Sequence, residues 1–217
     1  MATERILVLA SSRKLGGRCI AGLSLSGNGL VRPVSASSDG ELLPSDHQLV
    51  PPPAEFDVVT FDHLGFADDP TQPENLLIDG EPWDSEGPMA PAAALPLIEE
   101  HLHTASTIFV NHGKAVPAHV AEEGMDASLC VVEPDSLDFV VTPQILTRVE
   151  FVHGGHLWDL PISDYRVRPA MRTQPTGRYS LDDLGLGDPD RIMLLLSLAA
   201  KHNDWHSKLV AGVLQFP

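Results

Sequence analysis

The sequence predicts a mostly β protein (β-rich α+β) built as two similar lobes, and three observations carry that expectation. Short apolar or alternating runs recur with Gly and Pro punctuation roughly every ten residues, the rhythm of barrels and sandwiches rather than of βαβ units. The end of the chain echoes its beginning: DRIMLLLSLAA at 190–200 follows ERILVLASSRK at 4–14, and LVAGVLQ at 209–215 follows CIAGLSL at 19–25. A weak internal duplication of this kind marks a pseudo-symmetric, two-lobed fold. Finally, helix-like sequence is scarce. MAPAAALPLIEEHLH at 89–103 is the best helix candidate, and Pro91 and Pro96 shorten it.

The elements follow in chain order. RILVLA at 5–10 is too short to separate strand from helix by periodicity, but its repeat near the C-terminus argues for a strand. A polar, basic loop, SSRKLGG, leads to the strand CIAGLSL. The following SGNG reads as a tight two-residue hairpin turn. LVRPVS returns as a strand in which Pro33 belongs at an edge or a strand end. Residues 36–55 read as a Pro- and Ser-rich loop, FDVVTFDHLGF as a strand, and 67–83 as irregular chain containing QPENLLID. IFVNHGKAVPAHVAEEG holds a second short helix. The second lobe reads as purely β: SLCVVEP, DFVVTP, then TRVEFVHGGHLWDLPI with a type I′ or II′ turn at Gly154-Gly155, a long connection over 164–189, and the closing strands. The boundaries drawn from this are 1–127, a first lobe with an acidic helical insertion, and 128–217, a second lobe whose strands at 190–215 echo 4–25.

Charge is distributed unevenly. The net charge is −16, yet residues 1–38 carry Arg5, Arg13, Lys14, Arg18 and Arg32 against Glu4 alone. Residues 39–147 hold 21 acids and one base, Lys114, whereas 148–217 hold eight of each sign. A protein that coats nucleic acid over its whole surface should not look like this; one with a single focused anion site could. No signal-peptide pattern opens the chain and no apolar run approaches the length of a membrane span, so a cytoplasmic protein without membrane contact is expected. Cys19 and Cys130 stand in patternless surroundings and are expected as buried thiols, without disulfide or zinc framework.

The leading candidate site is the SSRKLGG loop, where hydroxyls, Arg13, Lys14 and a Gly pair can present donors to a phosphate, with Arg18 and Arg32 joining if the first three strands lie side by side. It is not a Walker A loop, and a solvated loop pairing with the acidic segment explains the same residues. QPEN at 72–75 offers Gln72 and Asn75 as paired donor–acceptor groups for a base edge, against the alternative of an Asx-type turn. His202 and His206 have zincin spacing without the Glu, and Asn203-Asp204 favour a turn; His153 and His156 flank the Gly-Gly turn as a cross-strand pair. No third ligand is placed by spacing, so neither a metal nor another cofactor is expected. No acid/base pair or nucleophile motif stands out, which leans against an enzyme.

SSRKLGGRCIAG, GLVRPVS, QPENLLID and LVAGVL together resemble bacterial dual OB-containing domain proteins. Leu30 and Leu76 stand where that pattern has aromatic residues. The resemblance implies two OB-like barrels in tandem, joined by short helices, and a role with nucleic acid or nucleotides. The matching polar positions are Ser12, Arg13, Lys14, Arg32, Gln72, Glu74 and Asn75. The expected function is therefore binding of short single-stranded nucleic acid or a nucleotide at a focused basic site. The alternatives are a protein–protein adaptor using the acidic 39–147 surface, and an enzyme acting on nucleotides or nucleic acid.

Overall fold

The computed structural model describes residues 2–14, 17–36, 41–144 and 146–217; the side chains of Arg13 and Lys14 also lie outside the described part. In chain order the elements are β1 (Ala2–Lys14), β2 (Gly17–Ser24), β3 (Leu30–Val34), α1 (Pro44–His47), β4 (Asp57–Phe66), β5 (Asn75–Ile78), β6 (Asp84–Pro88), α2 (Pro91–Glu99), β7 (Ala115–Pro117), α3 (Ala118–Glu122), β8 (Leu129–Val132), β9 (Ser136–Val141), β10 (Thr147–His153), β11 (His156–Pro161), α4 (Val167–Arg172), β12 (Gly177–Tyr179), β13 (Arg191–Leu198) and β14 (Trp205–Phe216).

The first lobe is a closed barrel. Its strands run β1-β2-β3-β5-β4, and β4 pairs back onto β1, with β6 added outside β4. Closure leaves no open edge among the five barrel strands. Among the described strands, β3 and β5 pair in parallel, with Arg32 opposite Asn75. Pro33 fits because β3 pairs with β2 only at Leu30 and Val31, so no β2 carbonyl awaits the N–H that proline lacks. The second lobe is two four-stranded sheets, β11-β10-β9-β12 and β7-β14-β13-β8, joined by a parallel bridge from Ile162 to Val210. The architecture is a barrel followed by a half-barrel sheet, mostly β as the sequence suggests.

The apolar runs without alternation have a direct cause: β1 and β13 are buried on both faces. Ile6 and Val8 point into the first barrel with Ile20, Val31, Phe61 and Leu76. Leu7 and Leu9 point the other way, into a seam shared with Leu129, Met193, Leu195 and Leu214 from the second lobe. On β13 the same alternation sends Leu194 and Leu196 into the second lobe's core, beside Phe139, Phe151 and Trp158. Fully burying one such side chain contributes roughly 1.5–3 kcal/mol, so a seam of many holds the lobes as one body.

The duplicated segments are therefore the two halves of the interface. Each forms an antiparallel hairpin with one bulge, but on opposite strands: Leu9 is the extra residue on β1, whereas Ala211 is the extra residue on β14.

Several expectations are corrected. The β2–β3 connection spans 25–29 rather than two residues, because Ser24 N–H donates to the Gly29 carbonyl and Glu4, Ser24 and Asn28 close the turn by side-chain hydrogen bonds. The 36–55 loop contains the short α1. The second lobe is not purely β, since α4 interrupts 164–189; Asp164 nucleates it by accepting the N–H groups of Arg166 and Val167 at 2.8 and 2.9 Å. The Gly154-Gly155 turn has φ of 58° and 74°, the two positive values that a type I′ turn needs. No helix among the described residues is long and apolar enough to cross a membrane.

Candidate functional site: a cavity between the barrels

Where the bulged hairpins meet, the seam does not close. A cavity of about 310 Å³ opens between them, walled by Ala10, Ile20, Ala21, Leu129, Leu209 and Ala211 and carrying Ser12, Cys19, Arg32, Gln72, Ser163 and Ser197 as its polar and thiol groups. Leu198, Ala199 and Ala200, at the end of β13, line its rim.

Arg32 is the charged group of this cavity. It is 5% exposed. Its Nη1 donates to Asn75 Oδ1 at 2.8 Å and to Ser128 Oγ at 3.3 Å, and its Nη2 to Ser197 Oγ at 3.0 Å. All three acceptors are neutral, and among the described residues no carboxylate forms an ion pair with it. Burial lowers its pKa from the ordinary guanidinium value, with Glu74 acting in the opposite sense. A buried guanidinium held by neutral oxygens carries a large desolvation cost that an anion in the cavity would offset.

Behind Arg32 the QPEN segment ties the lobes together. Glu74 accepts Ser128 N–H and Oγ–H, both at 2.6 Å, and Leu129 N–H at 3.0 Å. Asn75 Nδ2 donates to Gln72 Oε1 at 3.1 Å, and Gln72 Nε2 donates to the Leu198 carbonyl at 2.9 Å. Each contact except the one within QPEN crosses from the first barrel to the second lobe. The parallel β3–β5 pairing brings this about, because it sets Arg32 directly beside Asn75.

The structure thus brings Ser12, Arg32 and Gln72 to one cavity and places Glu74 and Asn75 in its supporting wall. Arg18 lies elsewhere: its Nη1 donates to Ser11 Oγ at 2.7 Å and its guanidinium stands 5.1 Å from the Tyr165 ring centre. Arg13 and Lys14 continue β1 beyond Ser12, but their side chains lie outside the described residues. Arg5 pairs with Glu86 at 2.6 Å through both oxygens. Ser163 and Ser197 are additions that sequence reasoning missed. Ser197 had a signal, since it occupies the position of Ser11 in the duplicated segment; Ser163 had none.

Of the remaining candidates, Cys19 lines the cavity and the others lie outside it. Cys19 is half-buried at its wall rather than buried, because the strand around it faces the open part of the seam; Cys130 is buried, which pushes its thiol up to about 12, and neither forms a disulfide. Trp83 stacks on Phe61 inside the first barrel, Trp158 is buried in the second lobe, and Trp205 is 49% exposed. His153 and His156 face each other across β10–β11, and Asn203 and Asp204 form a positive-φ turn between His202 and Trp205. Among the described residues no three His, Cys, Asp or Glu side chains converge on a metal-sized site.

The model of the dual OB-containing domain family matches residues 4–213, nearly the whole chain and both hairpins of the seam. No curated protein matches the chain, and no solved structure does.

Proposed function

Because the chain belongs to the dual OB-containing domain family, and OB barrels are binding modules, we propose that it binds a nucleotide, or the end of a short single strand, in the cavity between its barrels. The observation that carries this reading is Arg32: a buried, permanently charged donor, without a paired carboxylate among the described residues, lining a pre-formed cavity. The walls suit the rest of such a ligand. Ile20, Leu129 and Leu209 offer apolar surface for a planar base, while the hydroxyls of Ser12, Ser163 and Ser197 add a few oriented polar groups. At about 310 Å³ the cavity lies at the small end of ligand sites, which favours a single nucleotide over a run of them. Arg13 and Lys14, next along β1, are assigned to the flanking phosphates on sequence grounds. The acidic remainder of the chain repels generic polyanion and keeps binding focused.

Ala200 gives a clean test, since it is exposed and lines the rim. Ala200→Trp should obstruct the cavity while leaving the melting temperature within a degree or two. Fluorescence anisotropy with short single-stranded DNA and RNA, and thermal shift with nucleotides, should show saturable binding to the wild-type protein that weakens at least tenfold in the variant. Equal binding by both proteins, or none by the wild type at low salt, would overturn the assignment.

A further inference from the structure

A second, smaller cavity of about 170 Å³ adjoins the first, and Ser163 lines both. Its other walls are Asp164, Tyr165, Arg168, Pro169 and Arg172. Arg168 and Arg172 are four residues apart on α4, so their side chains leave the same face of the helix. In a chain of net charge −16, five arginines outside this pocket have acidic partners: Arg5 has Glu86, Arg148 has Asp159, Arg166 has Glu55, Arg178 has Asp138 and Glu150, and Arg191 has Glu99 and Glu133. Arg168 and Arg172 make no ion pair and no side-chain hydrogen bond among the described residues, and the Nε of Arg168 is buried without an acceptor. Like charges at i, i+4 repel, and a buried donor with no acceptor forfeits its hydration without compensation.

The carboxylate in the wall does not answer them. Asp164 Oδ1 accepts the N–H groups of Arg166 and Val167, and Oδ2 accepts Val213 N–H at 2.9 Å. Its charge is directed into the backbone and towards Arg166, 3.9 Å away. What remains open is a pair of guanidiniums with two hydroxyl-bearing neighbours, Ser163 and Tyr165. Guanidiniums match phosphate oxygens bidentately, and a phosphate monoester brings nearly two negative charges at neutral pH.

We propose that this pocket is a phosphate subsite, with Arg168 and Arg172 holding the terminal phosphate monoester of the ligand whose base lies in the larger cavity. The proposal rests on the reading of that cavity given above, and Ser163 is the residue at which the two sites join. The ligand class narrows accordingly, from any nucleotide or strand end to a nucleoside monophosphate or a phosphorylated strand end.

Calorimetric titration of the four ribonucleosides, their 5′-monophosphates and inorganic phosphate, against wild type, Ala200→Trp and Arg168→Ala/Arg172→Ala, separates the two ideas. Arg172→Glu, at an exposed position, serves if the double variant fails to fold. The expected result is a monophosphate bound at least tenfold more tightly than its nucleoside, with that advantage lost in the arginine variants and nucleoside affinity unchanged. Inorganic phosphate should bind the wild type and Ala200→Trp alike. If nucleoside and monophosphate bind equally and the arginine variants change neither, the phosphate subsite is overturned while the cavity reading stands. If inorganic phosphate binds and is lost in the arginine variants, but no nucleoside or monophosphate responds to Ala200→Trp, the anion pocket stands and the cavity reading falls. Absence of any phosphate or monophosphate binding to the wild type overturns the subsite.

Discussion

Glu55, just before β4, and Asp164, just after β11, meet from the two lobes beside Arg166, whose Nε lies 3.1 Å from Glu55 Oε2. Burial of Glu55, reinforced by the neighbouring Asp164 carboxylate, pushes its pKa up to about 8, against the pull of Arg166. In the unfolded chain the same group titrates near 4.3, so between those values the native state holds the extra proton. The stability this proton brings is fully present below about pH 4.3 and is lost as pH rises through 8. Glu55→Gln removes the ionisation. Thermal melts at pH 5 and pH 8.5 should show the variant gaining on the wild type at the higher pH and not at the lower. A gap that does not change with pH would refute this assignment of the proton. Nothing in the sequence singled out Glu55 among the 21 acids of its segment, because its pKa depends on a neighbour over a hundred residues away. Lys208 escaped notice for the same reason. It occupies the place of Arg18 in the duplicated segment, yet it is fully buried and donates to the Ile108 carbonyl and to Asn111 Oδ1 and carbonyl.

At the level of elements, the Ala-Gly pair in each copy of the repeat is explained by close backbone approach. A Cβ on Gly22 would lie 2.4 Å from the Leu7 carbonyl oxygen of its own hairpin. A Cβ on Gly212 would lie 2.4 Å from the Leu9 carbonyl oxygen, across the seam in the other lobe. Neither contact can be relieved by a side-chain rotation, since each involves backbone. Gly212→Ala and Gly22→Ala should each cost about 1–3 kcal/mol in denaturant unfolding, and only Gly212→Ala should also weaken ligand binding, because it wedges apart the strands that wall the cavity. Equal binding by both variants would mean that the seam tolerates the shift. The repeat itself was legible in the sequence and predicted paired strands correctly. Its role as the interface was not, because a short apolar run reads the same whether it is buried on one face or two. QPEN was legible as an unusual polar segment, but the cross-lobe partners that occupy Glu74 and Asn75 could be assigned only once Ser128 and Leu129 were known to lie opposite them.

For the whole molecule, the distribution of charge decides how binding responds to salt. Single-stranded nucleic acid releases about 0.7 counterion per phosphate neutralised. A site that engages one or two phosphates predicts a log–log slope between about −0.7 and −1.4, where a surface that tracked the backbone would give several times that. Titration of a short phosphorylated oligonucleotide over a tenfold range of salt measures this directly, and a slope steeper than about −3 would contradict a focused site. The sequence marked a candidate focused site by contrast, a basic N-terminus ahead of a strongly acidic middle. It could not show that Arg32 is buried, or that Arg168 and Arg172, whose i, i+4 spacing was there to be read, line a pocket that shares Ser163 with the cavity of Arg32.

The cavity joins Ala10, Ser12, Cys19, Ile20, Ala21 and Arg32 to residues 197–211. During vectorial synthesis all the strands of the first barrel leave the ribosome well before β13 and β14 do. Arg32 lacks its Ser197 partner until β13 has been made, and the pocket around it comes into being only when the closing hairpin docks. Binding in this cavity, as proposed, would in this sense be a late event in the life of each chain. A chain that lacked β13 and β14 would have no chamber, since Ser197, Leu198, Leu209 and Ala211 would be gone from its lining.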